Sequence, residues 1–287
     1  MTKNPSSIPP ASSFQLGLIG YPLEHSLSPK IHAAALEACG LQGAYSLFPV
    51  RPEDMRGLRD LLARVRGGEI RGLNVTIPHK QNVIEFMDEL TPTAQAIGAA
   101  NTIYLRENKL IGDNTDAAGF LADLKRLIGD WKVEIGDCAL VLGAGGSARA
   151  AVYALLNDGW NVTVAARRIE QARELAASAA SDRLQVRGYS DLRDLTFNLL
   201  VNATPVGMSP NIDYSPLPAK FALNKDTMVY DLVYNPRQTR LVREAQARGC
   251  SAATGLGMLV EQAALAFELW TGKNPPREIL FNAIANL

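Results

Sequence analysis

The chain has 287 residues, of which 47% are hydrophobic and 20% are charged, the composition of an ordinary packed globular protein. Its 29 basic and 29 acidic side chains give a formal net charge of zero, which argues against a nucleic-acid partner, because proteins that bind polyanions usually carry a basic excess. At about 150 residues per domain, this length predicts about two domains.

Residues 1–13 are rich in proline and serine and contain no apolar run, so we predict a disordered tail there rather than a secretory signal. No later stretch approaches the ~18 unbroken apolar residues of a membrane span, and no membrane partner is expected. Three widely spaced cysteines, Cys39, Cys138 and Cys250, favour a reducing compartment over a disulfide scaffold. Together these features predict a cytoplasmic protein.

Strand-like and helix-like segments alternate through the first half of the chain, which is the pattern of an α/β fold. The predicted strands are 14–20, 45–50 and 70–77, followed by a hairpin of 99–105 and 109–112. Helices are predicted to begin at Pro29, Pro52 and His79. Short strand–helix connections of this kind predict parallel pairing at the centre of the sheet.

The second half shows the same alternation more clearly. A buried strand at 138–142 leads through a glycine-rich turn into a helix that ends near Leu156, and helices are also predicted at 170–180 and 239–248. Further predicted strands are 161–166, 184–189, 199–203, 228–233 and 250–253. These segments predict one doubly wound sheet of about six strands, followed by a final helix at 257–269 and a short one near Pro276.

The glycine-rich turn carries the strongest local signal for a ligand. It reads Gly143-Ala144-Gly145-Gly146-Ser147-Ala148 and lies between a strand and a helix, the context that a dinucleotide-binding fingerprint requires. Gly143 permits the tight turn, Gly145 lets the backbone approach a pyrophosphate, and Ala148 is small enough to pack the helix on the strand. The alternative is a glycine-rich loop that binds nothing.

The end of the next strand favours NADP over NAD. An NAD site usually places an acidic residue about 20 residues after the glycines, where it binds the ribose hydroxyls. Here Arg167 and Arg168 stand at that point, and no acidic residue does. A guanidinium can bind a 2′-phosphate, which a carboxylate would repel. The alternative is a solvated basic turn.

Polar segments in the first half suit a small polyhydroxylated acid. Ser26 and Ser28 lie two residues apart, so an extended backbone would point both hydroxyls to one side, although Ser28 could instead cap the helix that begins at Pro29. Asn74 and Thr76 alternate with apolar residues at the period of a strand, which places both on one face.

Three further polar residues complete this candidate site. Lys80 is predicted in the first turn of a helix, where a cation is electrostatically disfavoured, and this placement points to a functional lysine or to a merely solvated one. Asn101 and Asp116 lie just before the chain passes to the second half, and Asp116 could simply cap the next helix.

Seven short motifs follow one another along nearly the whole chain, from about Leu16 to Gly272. They are Ser26-Leu27-Ser28-Pro29, Asn74-Val75-Thr76-Ile77-Pro78-His79-Lys80, Gly112-Asp113-Asn114-Thr115-Asp116, Gly143-Ala144-Gly145-Gly146, Asn202-Ala203-Thr204-Pro205, Asp231-Leu232-Val233-Tyr234-Asn235-Pro236 and Gly257-Met258-Leu259-Val260-Glu261-Gln262-Ala263. In this order they resemble the shikimate dehydrogenases and their quinate/shikimate relatives.

The resemblance implies a reversible hydride transfer, in which 3-dehydroshikimate and NADPH give shikimate and NADP in aromatic amino acid (chorismate) biosynthesis. It implies an N-terminal α/β substrate domain (14–116 plus 255–287) and a doubly wound Rossmann NADP domain (117–254), with the active site in the cleft between them. The C-terminal helix would return to the first domain. We expect a monomer or homodimer and no catalytic metal, because no His/Cys cluster has ligand spacing.

The family pattern also assigns roles to individual residues. The residues that it implies for the substrate carboxylate are Ser26, Ser28 and Tyr234, and those for the ring hydroxyls are Asn74, Thr76, Asn101 and Gln262. Thr204 and the backbone near Gly255 would line the nicotinamide pocket. Lys80 would act as general acid/base at the hydroxyl that becomes a ketone, with Asp116 as its orienting partner.

One departure from the family pattern concerns the cofactor. The family often has Asn-Arg-Thr after the second cofactor strand and another arginine shortly beyond, whereas this chain has Ala166-Arg167-Arg168 followed by Ile169-Glu170-Gln171. This departure concerns the strength of the NADP preference more than its direction. Separately, two alternatives stay open: a quinate or dual quinate/shikimate dehydrogenase, which could use NAD, and a non-catalytic nucleotide-binding module.

Overall fold

A computed structural model describes residues 13–131, 138–192, 195–218 and 221–285. The predicted tail, residues 1–13, lies outside these ranges except for Ser13. The described chain forms two six-stranded sheets with helices packed on them. Within the described ranges, no helix has the length and apolar character needed to cross a membrane.

The first sheet mixes parallel and antiparallel strands. Its strands in chain order are β1 (Phe14–Gly20), β2 (Gly43–Pro49), β3 (Gly72–Val75), β4 (Glu89–Leu90), β5 (Thr102–Arg106) and β6 (Lys109–Asp113). They lie in the order β2-β1-β3-β5-β6-β4, and β1 pairs in parallel with both of its neighbours. The predicted hairpin of β5 and β6 is confirmed, and its turn residues Glu107 and Asn108 have positive φ angles of 50° and 63°.

Two of the three helices predicted in the first half are present, α1 (Ser28–Ala38) and α2 (Met55–Arg66). The short α3 (Pro92–Ile97) was not predicted, and α4 (Asp116–Trp131) contributes Ala117, Phe120 and Leu124 to the core of the second sheet. The helix predicted to begin at His79 is wrong, because the chain makes a turn there and then a short 3-10 helix at Asn82–Phe86. Groups in this turn form hydrogen bonds to distant segments instead of to a helix. The Lys80 carbonyl accepts from the Ala100 amide, and the His79 ring forms a hydrogen bond with the Val50 carbonyl.

The second sheet is entirely parallel. Its strands are β7 (Cys138–Leu142), β8 (Asn161–Ala165), β9 (Leu184–Arg187), β10 (Leu199–Asn202), β11 (Met228–Asp231) and β12 (Ala252–Thr254). The strands lie in the order β12-β11-β10-β7-β8-β9. From β7 the chain first adds β8 and β9 on one side and then β10, β11 and β12 on the other, so the predicted doubly wound sheet is confirmed. The helices beside it are α5 (Gly146–Asn157), α6 (Ile169–Ala179) and α7 (Arg240–Gln246).

The last two helices, α8 (Leu256–Thr271) and α9 (Arg277–Ala285), leave the second sheet and pack against the first. Phe267 and Trp270 of α8 join the core formed by Leu16 and Ile31, and the Trp270 indole donates to the Ile103 carbonyl at 3.2 Å. The predicted return of the C-terminal helix to the first domain is therefore confirmed.

The close contact between α8 and the first sheet can be tested at Gly72 of β3. A Cβ atom on Gly72 would stand 2.2 Å from the Trp270 indole. We expect Gly72→Ala to lower the free energy of unfolding by about 1–3 kcal/mol, because a close-packed core does not absorb an extra methyl group. Gly67→Ala is the control, since a Cβ there would meet the Ala63 carbonyl only at 3.4 Å, and denaturant unfolding should show little change. Equal stability of the two variants would contradict this packing.

Candidate active site

A cleft with a cavity volume of about 290 Å³ lies between the loops of the two sheets. This volume suits one small ring-sized molecule. All eleven residues that the sequence assigns to substrate, chemistry or nicotinamide line it, and so does Ser147 of the glycine-rich loop. The eleven are Ser26, Ser28, Asn74, Thr76, Lys80, Asn101, Asp116, Thr204, Tyr234, Gly255 and Gln262.

An ion pair between Lys80 and Asp116 forms the centre of the cleft. The Lys80 Nζ atom donates to Asp116 Oδ2 at 2.5 Å, and the two side chains are only 12% and 5% exposed. The predicted pairing of these residues is confirmed, although Lys80 lies in a turn and not in the first turn of a helix. A lysine so little exposed and held against a carboxylate is not a merely solvated one.

Asp116 is the first residue of α4, yet its carboxylate is not the cap of that helix. The Asn114 Oδ1 atom accepts the hydrogen bond from the Ala117 amide, so Asp116 is left for side-chain partners. Its second oxygen, Oδ1, accepts from the Asn101 amide nitrogen at 2.9 Å. The same Asn101 nitrogen lies 3.3 Å from Gln262 Oε1, which ties α8 to the centre of the cleft.

Asn74 is held in place by a residue that the sequence reasoning missed. The Tyr45 hydroxyl donates to Asn74 Oδ1 at 2.8 Å, and the Asn74 amide nitrogen donates to the Asn101 carbonyl at 3.3 Å. The Tyr45 ring stacks on His32, with ring centroids 4.2 Å apart. Burial lowers the pKa of His32 to about 3, against a smaller opposing effect of Asn74, so this imidazole is neutral at physiological pH. Burial likewise raises the pKa of Tyr45 well above its usual range.

The two serines reach the cleft by a different backbone path from the predicted one. Leu27 has a helical conformation and stands at the N-cap of α1, so the segment is not extended and Ser28 is not the cap. The Ser28 amide instead donates to Ser26 Oγ at 3.3 Å. Across the cleft, burial raises the pKa of Tyr234, which keeps its hydroxyl protonated and able to donate. The cleft therefore presents neutral hydroxyl groups where a carboxylate is expected.

The glycine-rich loop between β7 and α5 has the geometry that phosphate binding requires. Gly143 has a φ of +110°, which favours glycine, and Gly145 stands at the N-cap of α5. Apart from Gly145 itself and its chain neighbours, no atom lies within 4 Å of the position that a Gly145 Cβ would take, so space is open at the start of this helix. The adjacent Ala144 and Ala148 are buried. The amides at this helix start fit the pyrophosphate of a dinucleotide.

Arg167 and Arg168 are exposed at the carboxyl end of β8. Because β7 and β8 pair in parallel, the arginines and the glycine-rich loop lie at the same edge of the sheet. Burial raises the pKa of Tyr189, and the positive charge of Arg167 partly offsets this rise. The two arginines are not among the residues that line the cleft.

A buried carboxyl group fixes two loops of the second sheet that line the cleft. Asp231 accepts from Asn202 at 2.8 Å, from Thr239 at 2.6 Å and from the Val233 amide at 3.1 Å. Asn202 in turn accepts from the amide and the hydroxyl of Thr204. Burial raises the pKa of Asp231 to about 6, and the hydrogen bonds that it accepts oppose this rise. Asp231 therefore supports both Thr204 and the loop of Tyr234.

Comparison with known proteins assigns the chain to a family. A model described as the shikimate dehydrogenase substrate binding domain matches residues 18–103, and one described as the shikimate 5′-dehydrogenase C-terminal domain matches residues 255–280. A shikimate dehydrogenase (NADP(+)) from Salinibacter ruber is 45% identical over an alignment of 276 residues, which covers 93% of this chain and 95% of that protein. The chain belongs to the shikimate dehydrogenase family.

Other members of the shikimate dehydrogenase family agree in sequence and in fold. A shikimate dehydrogenase (NADP(+)) from Methanopyrus kandleri is 43% identical over an alignment of 282 residues, which covers 94% of each chain. The structure of shikimate 5-dehydrogenase from Thermus thermophilus in complex with NADP(H) and shikimate has a TM-score of 0.82 and 40% identity, covering 94% of this chain and 98% of that one. The predicted two-domain α/β fold, with an N-terminal substrate domain and a Rossmann-like NADP domain, is confirmed.

Proposed function

We propose that this chain is an NADP-dependent shikimate dehydrogenase, which reversibly reduces 3-dehydroshikimate to shikimate in aromatic amino acid biosynthesis. The observation that carries the proposal is the little-exposed Lys80–Asp116 pair, which stands beside a phosphate-binding loop and among hydroxyl and amide groups. This arrangement combines a proton donor, a dinucleotide site and a neutral polar pocket in one cleft.

The catalytic roles follow from the charge that the reaction develops. Bound NADPH supplies the hydride that the carbonyl carbon receives. Negative charge then builds on the carbonyl oxygen, and Lys80 stabilises it and donates the proton that completes the hydroxyl. Asp116 holds the ammonium group at 2.5 Å and is itself held by Asn101. In the reverse direction, Lys80 accepts the proton from the hydroxyl that becomes a ketone.

We assign the remaining cleft residues to the substrate and the nicotinamide. Ser26, Ser28 and Tyr234 bind the carboxylate through hydroxyl groups, which needs no basic patch and leaves Lys80 for chemistry. The residues proposed for the ring hydroxyls are Asn74, Thr76, Asn101 and Gln262, and those for the nicotinamide pocket are Thr204 and Gly255. Thr204 is supported by the Asp231 network described above.

The cofactor site and the domain limits complete the proposal. The residues proposed for NADP are Gly143, Ala144, Gly145, Gly146, Ser147 and Ala148 in the loop, and Arg167 and Arg168 at the 2′-phosphate. The substrate domain comprises 14–116 plus 255–287, and the NADP domain comprises 117–254. A single chain supplies every residue named here, so both a monomer and a homodimer fit the proposal. The free Cys39, Cys138 and Cys250 support a cytoplasmic location, where thiols stay reduced.

Initial rates with shikimate and quinate, each paired with NADP and NAD, test this function. We expect kcat/KM to be highest for shikimate with NADP and to exceed the value for quinate with NADP by about tenfold or more. The reason is that quinate carries an extra hydroxyl beside the carboxylate that Ser26 and Ser28 are proposed to bind. Equal or better turnover of quinate with NAD would favour the dual quinate/shikimate alternative. Binding of NADP without turnover of either acid would favour the non-catalytic module.

A further inference from the structure

Lys80 has a second hydrogen-bond partner, at the start of a different helix from the one that Asp116 begins. Its Nζ atom donates to Ser147 Oγ at 3.2 Å, and Ser147 is the second residue of α5 in the glycine-rich loop. We infer that the Ser147 hydroxyl is a positioning residue for the Lys80 ammonium group. The inference rests on the proposed function, since it concerns how Lys80 is aimed at the reacting oxygen.

The number of donors on an ammonium group explains why a second partner matters. A lysine ammonium has three N–H groups on a flexible stem, and a single carboxylate partner leaves the group free to rotate about that one contact. Asp116 takes one donor and Ser147 takes a second. With two donors engaged, the third N–H of Lys80 is left for the substrate oxygen.

The backbone on both sides of the contact is closely packed. A Cβ atom on Gly146 would stand 2.9 Å from Lys80 Cβ and 3.2 Å from Lys80 Cδ, so the loop lies directly on the stem of the lysine. The stem and the ammonium group are thus both held by the same two residues of the loop, Gly146 and Ser147. The Ser147 hydroxyl at the start of α5 contacts Lys80, while the Ser147 backbone amide stays available for phosphate.

This role separates the Ser147 side chain from the Ser147 backbone. Phosphate binding uses the amides of the loop, which an alanine keeps, whereas the contact with Lys80 uses only the hydroxyl. Loss of the hydroxyl should therefore change the rate of the chemical step and leave cofactor binding intact. A purely structural or purely cofactor-binding role predicts a different pattern.

Steady-state kinetics on Ser147→Ala, Ser147→Thr and the unmodified chain test the inference. We expect Ser147→Ala to lower kcat about tenfold, the size of one hydrogen bond to a charged group, with KM for shikimate and NADP within about twofold. Ser147→Thr keeps a hydroxyl at the same position and should recover most of the rate. Ser178→Ala is the matched control, because Ser178 lies on α6 and contacts Arg149 and the Leu175 carbonyl instead of Lys80.

The outcomes distinguish the inference from the proposed function. A kcat of Ser147→Ala within about twofold of the unmodified chain would overturn the inference alone, as would equal losses in the alanine and threonine variants. A rise in KM for NADP at unchanged kcat would also overturn it, because Ser147 would then serve only the cofactor. Absence of turnover of shikimate with NADP by the unmodified chain would overturn the proposed function, and the inference with it.

Discussion

Replacing Lys80 by alanine is expected to lower kcat about 100-fold or more, with a small change in KM for shikimate. The reason is that Lys80 supplies both the positive charge and the proton at the oxygen on which charge develops, while the carboxylate and ring hydroxyls of the substrate bind elsewhere in the cleft. Initial rates with shikimate and NADP measure the effect.

Two comparisons make the Lys80 result specific. Lys109→Ala removes an exposed lysine of the same sheet, which pairs with Glu89 at 3.4 Å, and should leave kcat unchanged. Lys80→Ala also leaves Asp116 buried without a cation, which costs about 3–5 kcal/mol, so circular dichroism must show a folded variant at the assay temperature. Near-normal turnover by folded Lys80→Ala would remove Lys80 from the chemistry.

Replacing Arg167 by alanine is expected to raise KM for NADP about tenfold or more while leaving KM for NAD within about twofold. Only NADP carries the 2′-phosphate, and the exposed guanidinium stands at the edge of the sheet where that phosphate is proposed to bind. Initial rates over a range of each cofactor, at saturating shikimate, give the two KM values.

Arg168→Ala and Arg173→Ala complete the cofactor experiment. Arg168 adjoins Arg167 at the start of α6, and a smaller selective loss there would assign it a share of the 2′-phosphate. Arg173 is an exposed arginine on the same helix that pairs with Glu170, and its loss should affect neither cofactor. Equal changes in KM for NADP and NAD in Arg167→Ala would show that Arg167 does not bind the 2′-phosphate.

The features that sequence reasoning predicted well are those with a local signal. The loop at Gly143 was predicted from a strand, a glycine-rich turn and a helix that follow one another directly. The doubly wound sheet was predicted from the alternation of strand-like and helix-like segments. The Lys80–Asp116 pair joins residues that are distant along the chain, and the order of motifs, rather than the spacing of the two residues, pointed to it.

The features that sequence reasoning missed depend on contacts between distant segments. The segment after His79 has an apolar pattern suited to a helix, but hydrogen bonds to Val50 and Ala100 determine its conformation instead. Tyr45 on β2 and Asn74 on β3 are separated by β1 in the sheet, and the Tyr45 hydroxyl reaches across β1 to Asn74. The sequence around Ser147 indicates only a phosphate-binding loop. The contact of Ser147 with Lys80 forms between the two domains, and no local pattern predicts it.

The path of α8 affects the order in which the two halves of the protein are completed during synthesis. A ribosome makes the whole second sheet before it makes the helix that carries Gln262, Phe267 and Trp270 to the first. Until α8 emerges, the earlier half of the polypeptide lacks part of its own hydrophobic interior. Nascent chains therefore complete the nucleotide-binding half before the half into which Lys80 and Asp116 are built.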